Sequence, residues 1–153
     1  MVPVLITIHA LSAVFWVGGM AFAYLILRPA AGSLEAPARL ALWRRVFASF
    51  LPWAGAAAAL LLITGIGIIY GAYGGFAALP GHVNAMMTVG IVMMLIYLHL
   101  FFAPWRRFRQ AVDGGDMAEG ARRLGQIRMI VAINLALGVL TIIFATGGRY
   151  FGM

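Results

Sequence analysis

Four long stretches of almost unbroken apolar residues, separated by short polar segments, organise the chain. The first runs from about Val2 to Leu27 and stops at Arg28-Pro29, a charge followed by a helix breaker. The second covers about 46–72, with Pro52 expected to kink or restart it near its beginning. The third covers about 80–103, where Pro80 suits a first helical turn. The fourth covers about 117–147; Asp116 followed by Glu119 resembles a capping box, so this helix is expected to start in the water and to enter the membrane near Met129. Each apolar stretch reaches roughly the 20 residues that an α-helix needs to cross hydrocarbon. The pattern therefore predicts an all-α fold, an integral membrane bundle of four helices in one transmembrane domain, residues 1–153.

Composition supports the same class, since 64% of the residues are hydrophobic, 10% are charged and the mean hydropathy is +1.00. A soluble domain of this size could not bury that much apolar surface. The first stretch is longer than a signal-peptide core and has no basic segment before it, so it is expected to stay as a helix. With no cysteine, the chain has no disulfide, thiolate metal site or cysteine nucleophile.

Charge adds an orientation. The basic side chains are all arginine, and ten of them fall in two connections: Arg28, Arg39, Arg44 and Arg45 in the first, and Arg106, Arg107, Arg109, Arg122, Arg123 and Arg128 in the last. The turn over residues 71–81 has no charge. Basic loops stay in the cytoplasm, so the N- and C-termini are both expected on the non-cytoplasmic side with the uncharged turn. The same placement favours topology and lipid phosphate contacts over nucleic-acid binding for these arginines.

Polar residues inside the spans are costly in hydrocarbon unless they find partners, and they mark where chemistry can occur. They include His9, Ser12, Thr64, His82, Asn84, Thr88, His99, Asn134 and Thr141, with no Asp, Glu or Lys. That absence weighs against a proton-coupled transporter. His9, Ser12, Trp16, Met20 and Ala23 share one helical face, expected to look into the bundle. Ala57, Thr64, Gly67 and Gly71 in the second span, and Asn134, Gly138, Thr141, Ala145 and Gly148 in the fourth, form small-residue stripes suited to close helix packing.

His82 and His99 lie 17 residues apart on the third helix, about 25 Å at ~1.5 Å per residue, so they cannot share a ligand. His82, Met86, Val89 and Met93 occupy one stripe, and Ala85, Thr88, Val92 and His99 another. His9 and Met86 fall at the same depth, which makes His9, Met86 and His82 a candidate metal group near the outer face. His99 is expected near the cytoplasmic edge, hydrogen-bonded to Asn134. His99, Asn134, Thr64 and Asn84 are taken as structural polar groups. Imidazole with thioether suits copper(I), and imidazole with imidazole or methionine suits haem iron; His9 and His82 are the candidate cofactor ligands in either case. Arg149 and Tyr150, just past the last helix, are expected to anchor at the interface.

The segment from His9 to Arg28, with Trp16, Gly18-Gly19 and Arg28-Pro29, resembles the first helix of the copper-resistance protein D-like membrane family. Arg45-Val46-Phe47, Thr64-Gly65, Arg122-Arg123-Leu124, Asn134-Leu135 and Gly148-Arg149 are similar to that family's later helices. The resemblance implies a bacterial inner-membrane protein of copper handling, embedded in the lipid bilayer. A more distant similarity links the chain to HemJ-type protoporphyrinogen oxidases. In those, a histidine in the third helix is paired with a nearby lysine, whereas this chain has Asn84 beside His82-Val83.

Three functions are open at this stage: a non-enzymatic copper-binding or copper-transporting protein, a haem b redox protein, and an accessory subunit of a membrane complex or homo-oligomer. If the chain is an enzyme, the resemblance implies a haem-dependent oxidoreductase; no nucleic-acid partner is expected.

Overall fold

The computed structural model describes residues 1–150, apart from the side chain of Arg149. α1 (Val2–Ala21) starts with a proline in its first turn, where the missing N–H costs nothing. It widens into π-helical turns at Phe22–Leu27 and ends in a last helical turn at Arg28–Ala30. α2 (Ala36–Tyr73) is capped by Gly74 at φ 73°, and Gly75 N–H reaches back to the Ile69 carbonyl at 3.2 Å. This left-handed cap is a geometry that glycine adopts without strain. α3 (Gly81–Phe102), α4 (Pro104–Asp113) and α5 (Met117–Gly147) complete the chain, with no strand among the described residues.

The four expected spans are present as helices long and apolar enough to cross a membrane, so the chain is a multi-pass four-helix membrane bundle. Their limits differ from the hydrophobic pattern in an informative way. α2 has 38 residues, about 57 Å at ~1.5 Å per residue, and starts ten positions before the apolar stretch does. It also runs on through Pro52 instead of restarting there, while Tyr97 Oη donates to the Leu51 carbonyl at 2.8 Å in that same turn. The connection after the third span is not a loop: α4 follows at once, because Pro104 disfavours helical geometry at Ala103 and forces a break.

α4 is strongly two-faced. Trp105, Phe108 and Ala111 are buried, and Arg106, Arg107 and Arg109 point outward. The buried face closes on Leu40, Trp43 and Phe47 of α2 and on Leu124 and Ile127 of α5. Phe47 sits edge-on to both Trp105 and Phe108, with ring centroids 6.0 Å away in each case. Outside this core, Arg44 grips Asp113 through two hydrogen bonds of 3.1 Å and lies over the Trp105 ring. The ion pair is partly exposed and contributes at most ~1 kcal/mol; the aromatic packing holds the cap in place.

Asp116 caps α5 by accepting from Glu119 N–H at 2.9 Å. The expected return bond of a capping box is not made. Asp116 N–H bonds to the Ala111 carbonyl, and the Glu119 carboxylate goes to Arg122 and Arg123.

α1 packs along α2, and α3 along α5, as two antiparallel pairs; α1 and α3 lie across the bundle from each other. Trp16 on α1 nonetheless meets Tyr97 on α3 edge-on, with centroids 6.1 Å apart, through the centre. Val2 lies beside Gly71 and His82 beside Gly148, so the start of α1 and the end of α5 sit at the end of the bundle opposite the two arginine-rich connections.

Phe108 is fully buried, and Phe102 is 61% exposed on the outer surface. Phe108→Ala is expected to destabilise the detergent-solubilised protein by about 3–5 kcal/mol, and Phe102→Ala by no more than roughly 0.5 kcal/mol. Thermal unfolding followed by circular dichroism measures both; equal effects would refute the cap as a stabilising core.

Candidate functional site

The expected inward face of α1 is observed: Ser12, Trp16 and Met20 are buried, and His9 and Ala23 are half-buried. On α2, Ala57 and Thr64 are buried, Gly67 lies under Leu5, and Gly71 lies beside Val2. The α5 stripe is partly revised. Asn134, Gly138 and Gly148 are buried, and Thr141 donates to the Leu137 carbonyl at 2.9 Å with its Oγ1 3.8 Å from the Met93 sulfur, but Ala145 is exposed. Gly138 is a close crossing of three helices: a Cβ there would stand 2.9 Å from Val17 and 3.2 Å from the Met93 methyl. Only a bare backbone lets α1 and α3 converge on α5 at this level.

His9 is tied to α2. Its Nδ1 lies 2.9 Å from Thr64 Oγ1, and Thr64 Oγ1 lies 2.6 Å from the Leu60 carbonyl one turn back. A threonine hydroxyl has one proton to donate, and a carbonyl can only accept. The Thr64 proton therefore goes to Leu60, and Oγ1 accepts from His9 Nδ1–H. This chain selects one tautomer, with the proton on Nδ1 and the lone pair on Nε2. The imidazole also packs over Gly65, where a Cβ would come within 3.3 Å of Cε1. Thr64 was expected only as a structural polar group; its added role is to orient the histidine.

The other candidates divide by helix face. Met93 is buried, Val89 packs on the central core and Met86 is half-buried, so the His82 stripe faces inward. His82 itself lies in the first turn of α3 against Gly148. Val17 of α1 and Met93 of α3 both meet α5 at Gly138, and the antiparallel register from there carries His9 and Met86 to one level near the end of α5. The hydrogen bond that fixes His9 is nevertheless to α2, and α1 and α3 are diagonal. Among the described residues no group of three or more His, Asp or Glu side chains is arranged to hold a metal ion.

His99 does not bond to Asn134. Its stripe, with Thr88 and Val92, is the exposed face of α3, while Asn134 is 3% exposed and its Oδ1 has no hydrogen-bond partner. Equal depth brought the two together in the sequence; the rotation of α3 keeps them apart. Asn84 is exposed and reaches the Leu79 carbonyl at 3.4 Å, a weak bond at the start of α3. The side chain of Arg149, expected as an interface anchor, lies outside the described residues, and Tyr150 is exposed.

Antiparallel apolar helices with a half-buried histidine hydrogen-bonded between the first two of them define a multi-pass helical membrane protein. The chain belongs to the copper resistance protein D family (CopD), whose family model matches residues 44–147. The match takes in Thr64-Gly65 and the α2 to α5 core, and it begins after His9. No curated protein and no solved structure matches the chain.

The tautomer is directly measurable. In protein labelled with nitrogen-15 at histidine, His9 is expected to show a protonated Nδ1 and an unprotonated Nε2, and Thr64→Val is expected to weaken the preference. An Nε2-protonated ring in the wild type would refute the assignment.

Proposed function

We propose that this protein handles copper within the membrane, taking copper(I) as cargo at His9 Nε2 near the end of the bundle away from the arginines. The observation that carries this reading is the hydrogen-bond chain from His9 to Thr64 to Leu60. A histidine that donates from one ring nitrogen to a fixed acceptor is held in orientation and made more basic at the other, as metal-ligating histidines are. Membership of the copper resistance protein D family supports the choice of metal.

The donor chemistry fits a soft, low-coordinate ion. One imidazole with thioethers suits copper(I), and no cluster of three or more His, Asp or Glu side chains of the kind that divalent ions favour occurs among the described residues. Met86, level with His9 on the inward stripe of α3, is the methionine proposed to complete the site, with His82 one turn nearer the end. Within the span, His9 supplies the lone pair, Thr64 holds the ring, and the apolar walls of α1 and α2 exclude water. An imidazole that neither gains nor loses a proton on loading lets the ion enter without burying a second charge.

The proposed setting is a bacterial inner membrane. The ten arginines of the two connections would lie in the cytoplasm and both chain ends outside it.

Two experiments test these statements. Competition with a copper(I)-specific chelator is expected to show at least about tenfold weaker binding in His9→Ala and a loss of about 10–100-fold in Thr64→Val, with little change in His99→Ala. Copper(I) binding that is absent in the wild type, or unaltered in His9→Ala, would remove the proposal, and a Soret band lost in His9→Ala would move the site to haem b. For orientation, the cysteine-free chain allows single reporters. Ala78→Cys is expected to react with an impermeant maleimide in intact cells and Ala118→Cys only after permeabilisation; the opposite pattern inverts the topology.

A further inference from the structure

At the arginine-rich end, a cleft of about 600 Å³ opens between the end of α1, the start of α2 and α5, lined by Tyr24, Leu25, Arg28, Pro29, Gly32, Arg39 and Arg128. Three of these side chains are guanidiniums, and no carboxylate lines the cleft. The four acidic residues of the chain do not neutralise them. Asp113 holds Arg44, Glu119 holds Arg122 and Arg123, Asp116 caps α5, Glu35 precedes the first turn of α2, and none of Arg28, Arg39 and Arg128 forms an ion pair with any of them among the described residues. The charges that act on Arg128 are Arg28 and Arg39, both of its own sign.

The three cations are instead held in place. Arg28 lies over the Tyr24 ring at 4.8 Å, Arg39 donates to the Leu34 carbonyl at 3.3 Å, and Arg128 lies 6.0 Å from the Trp43 ring. Behind the cleft a narrower cavity of about 20 Å³ is lined by Ala23, Tyr24, Arg28, Trp43, Phe47, Arg128 and Val131. Two of its lining residues carry buried N–H donors without an acceptor, Arg128 Nε and Trp43 Nε1. Leaving such donors unmet costs about 1–3 kcal/mol each, and more for a charged group. Like charges gathered at one place, with donors lacking acceptors, call for a ligand that is anionic and rich in acceptor oxygens.

We infer that this cleft binds a phosphate group, carried by the headgroup of an anionic phospholipid. Guanidinium forks match phosphate oxygens in pairs. Arg28 marks the end of the first apolar stretch and Arg128 the start of the last one, so the cleft lies at headgroup depth. Leu25, 61% exposed, extends its wall toward the hydrocarbon, where an acyl chain would run. The site is independent of His9 and lies at the other end of the bundle.

The test is thermal unfolding of the full-length, delipidated protein in neutral-detergent micelles at constant ionic strength. Phosphatidylglycerol is expected to raise the melting temperature by roughly 5 °C over phosphatidylcholine. Arg39→Gln and Arg128→Gln should each lose at least about half of that rise, while the double variant Arg106→Gln/Arg107→Gln, exposed on α4, should keep it. Arg39→Gln carries the test if Arg128→Gln does not fold. A rise of the same arginine dependence with sodium phosphate alone would keep the phosphate site and assign it to a soluble phosphate. A phosphatidylglycerol effect equal in all variants, or no effect of either probe, would overturn the inference.

Discussion

Hydrocarbon gives two apolar helices little reason to prefer each other to lipid, and the way the chain escapes this problem governs its architecture. Water-driven burial is concentrated at the arginine-rich end, where Leu40, Trp43, Phe47, Phe108, Leu124 and Ile127 close around one another. That core clamps α2, α4 and α5 together at one end of the bundle. Within the span, packing relies on closeness instead: Gly138 admits Val17 and Met93, and Gly65 admits the ring of His9. The cap sets the relative rotation of the helices, and the small residues let them approach.

The two ends of the bundle thereby acquire different chemistry. At one end, arginines on three segments ring a cleft without a counter-ion; at the other, a single imidazole is held by a threonine hydroxyl within an apolar wall. A soft cation at His9 and a hard phosphate among guanidiniums would each be poorly served at the opposite site. The separation would keep the arginines about a membrane thickness away from the copper(I) ion proposed at His9.

Much of this was legible in the sequence because a membrane imposes a one-dimensional rule. Long apolar stretches become spans, and small and polar residues at helical spacing face one another, as Ser12, Trp16, Met20, Thr64 and Gly138 do. The amphipathic helix α4 was missed although its signal is present, with Trp105, Phe108 and Ala111 three residues apart between arginines. Its apolar positions are interrupted by four charged residues within ten, so no continuous hydrophobic run marks it. The early start of α2 was hidden likewise, since Leu40, Trp43 and Phe47 stand among arginines.

The sequence by itself determined the spans, their depth and the segregation of charge, because these depend on composition and on distance along a helix. Tertiary structure alone decided rotation and partnership. His99 and Asn134 are equal in depth yet face different surroundings, and His9 found Thr64 on the adjacent helix while Met86 stands on the diagonal one. Depth follows from counting residues at a fixed rise; which neighbour a side chain meets follows from how four cylinders are turned about their axes, and packing around Phe108 and Gly138 settles that.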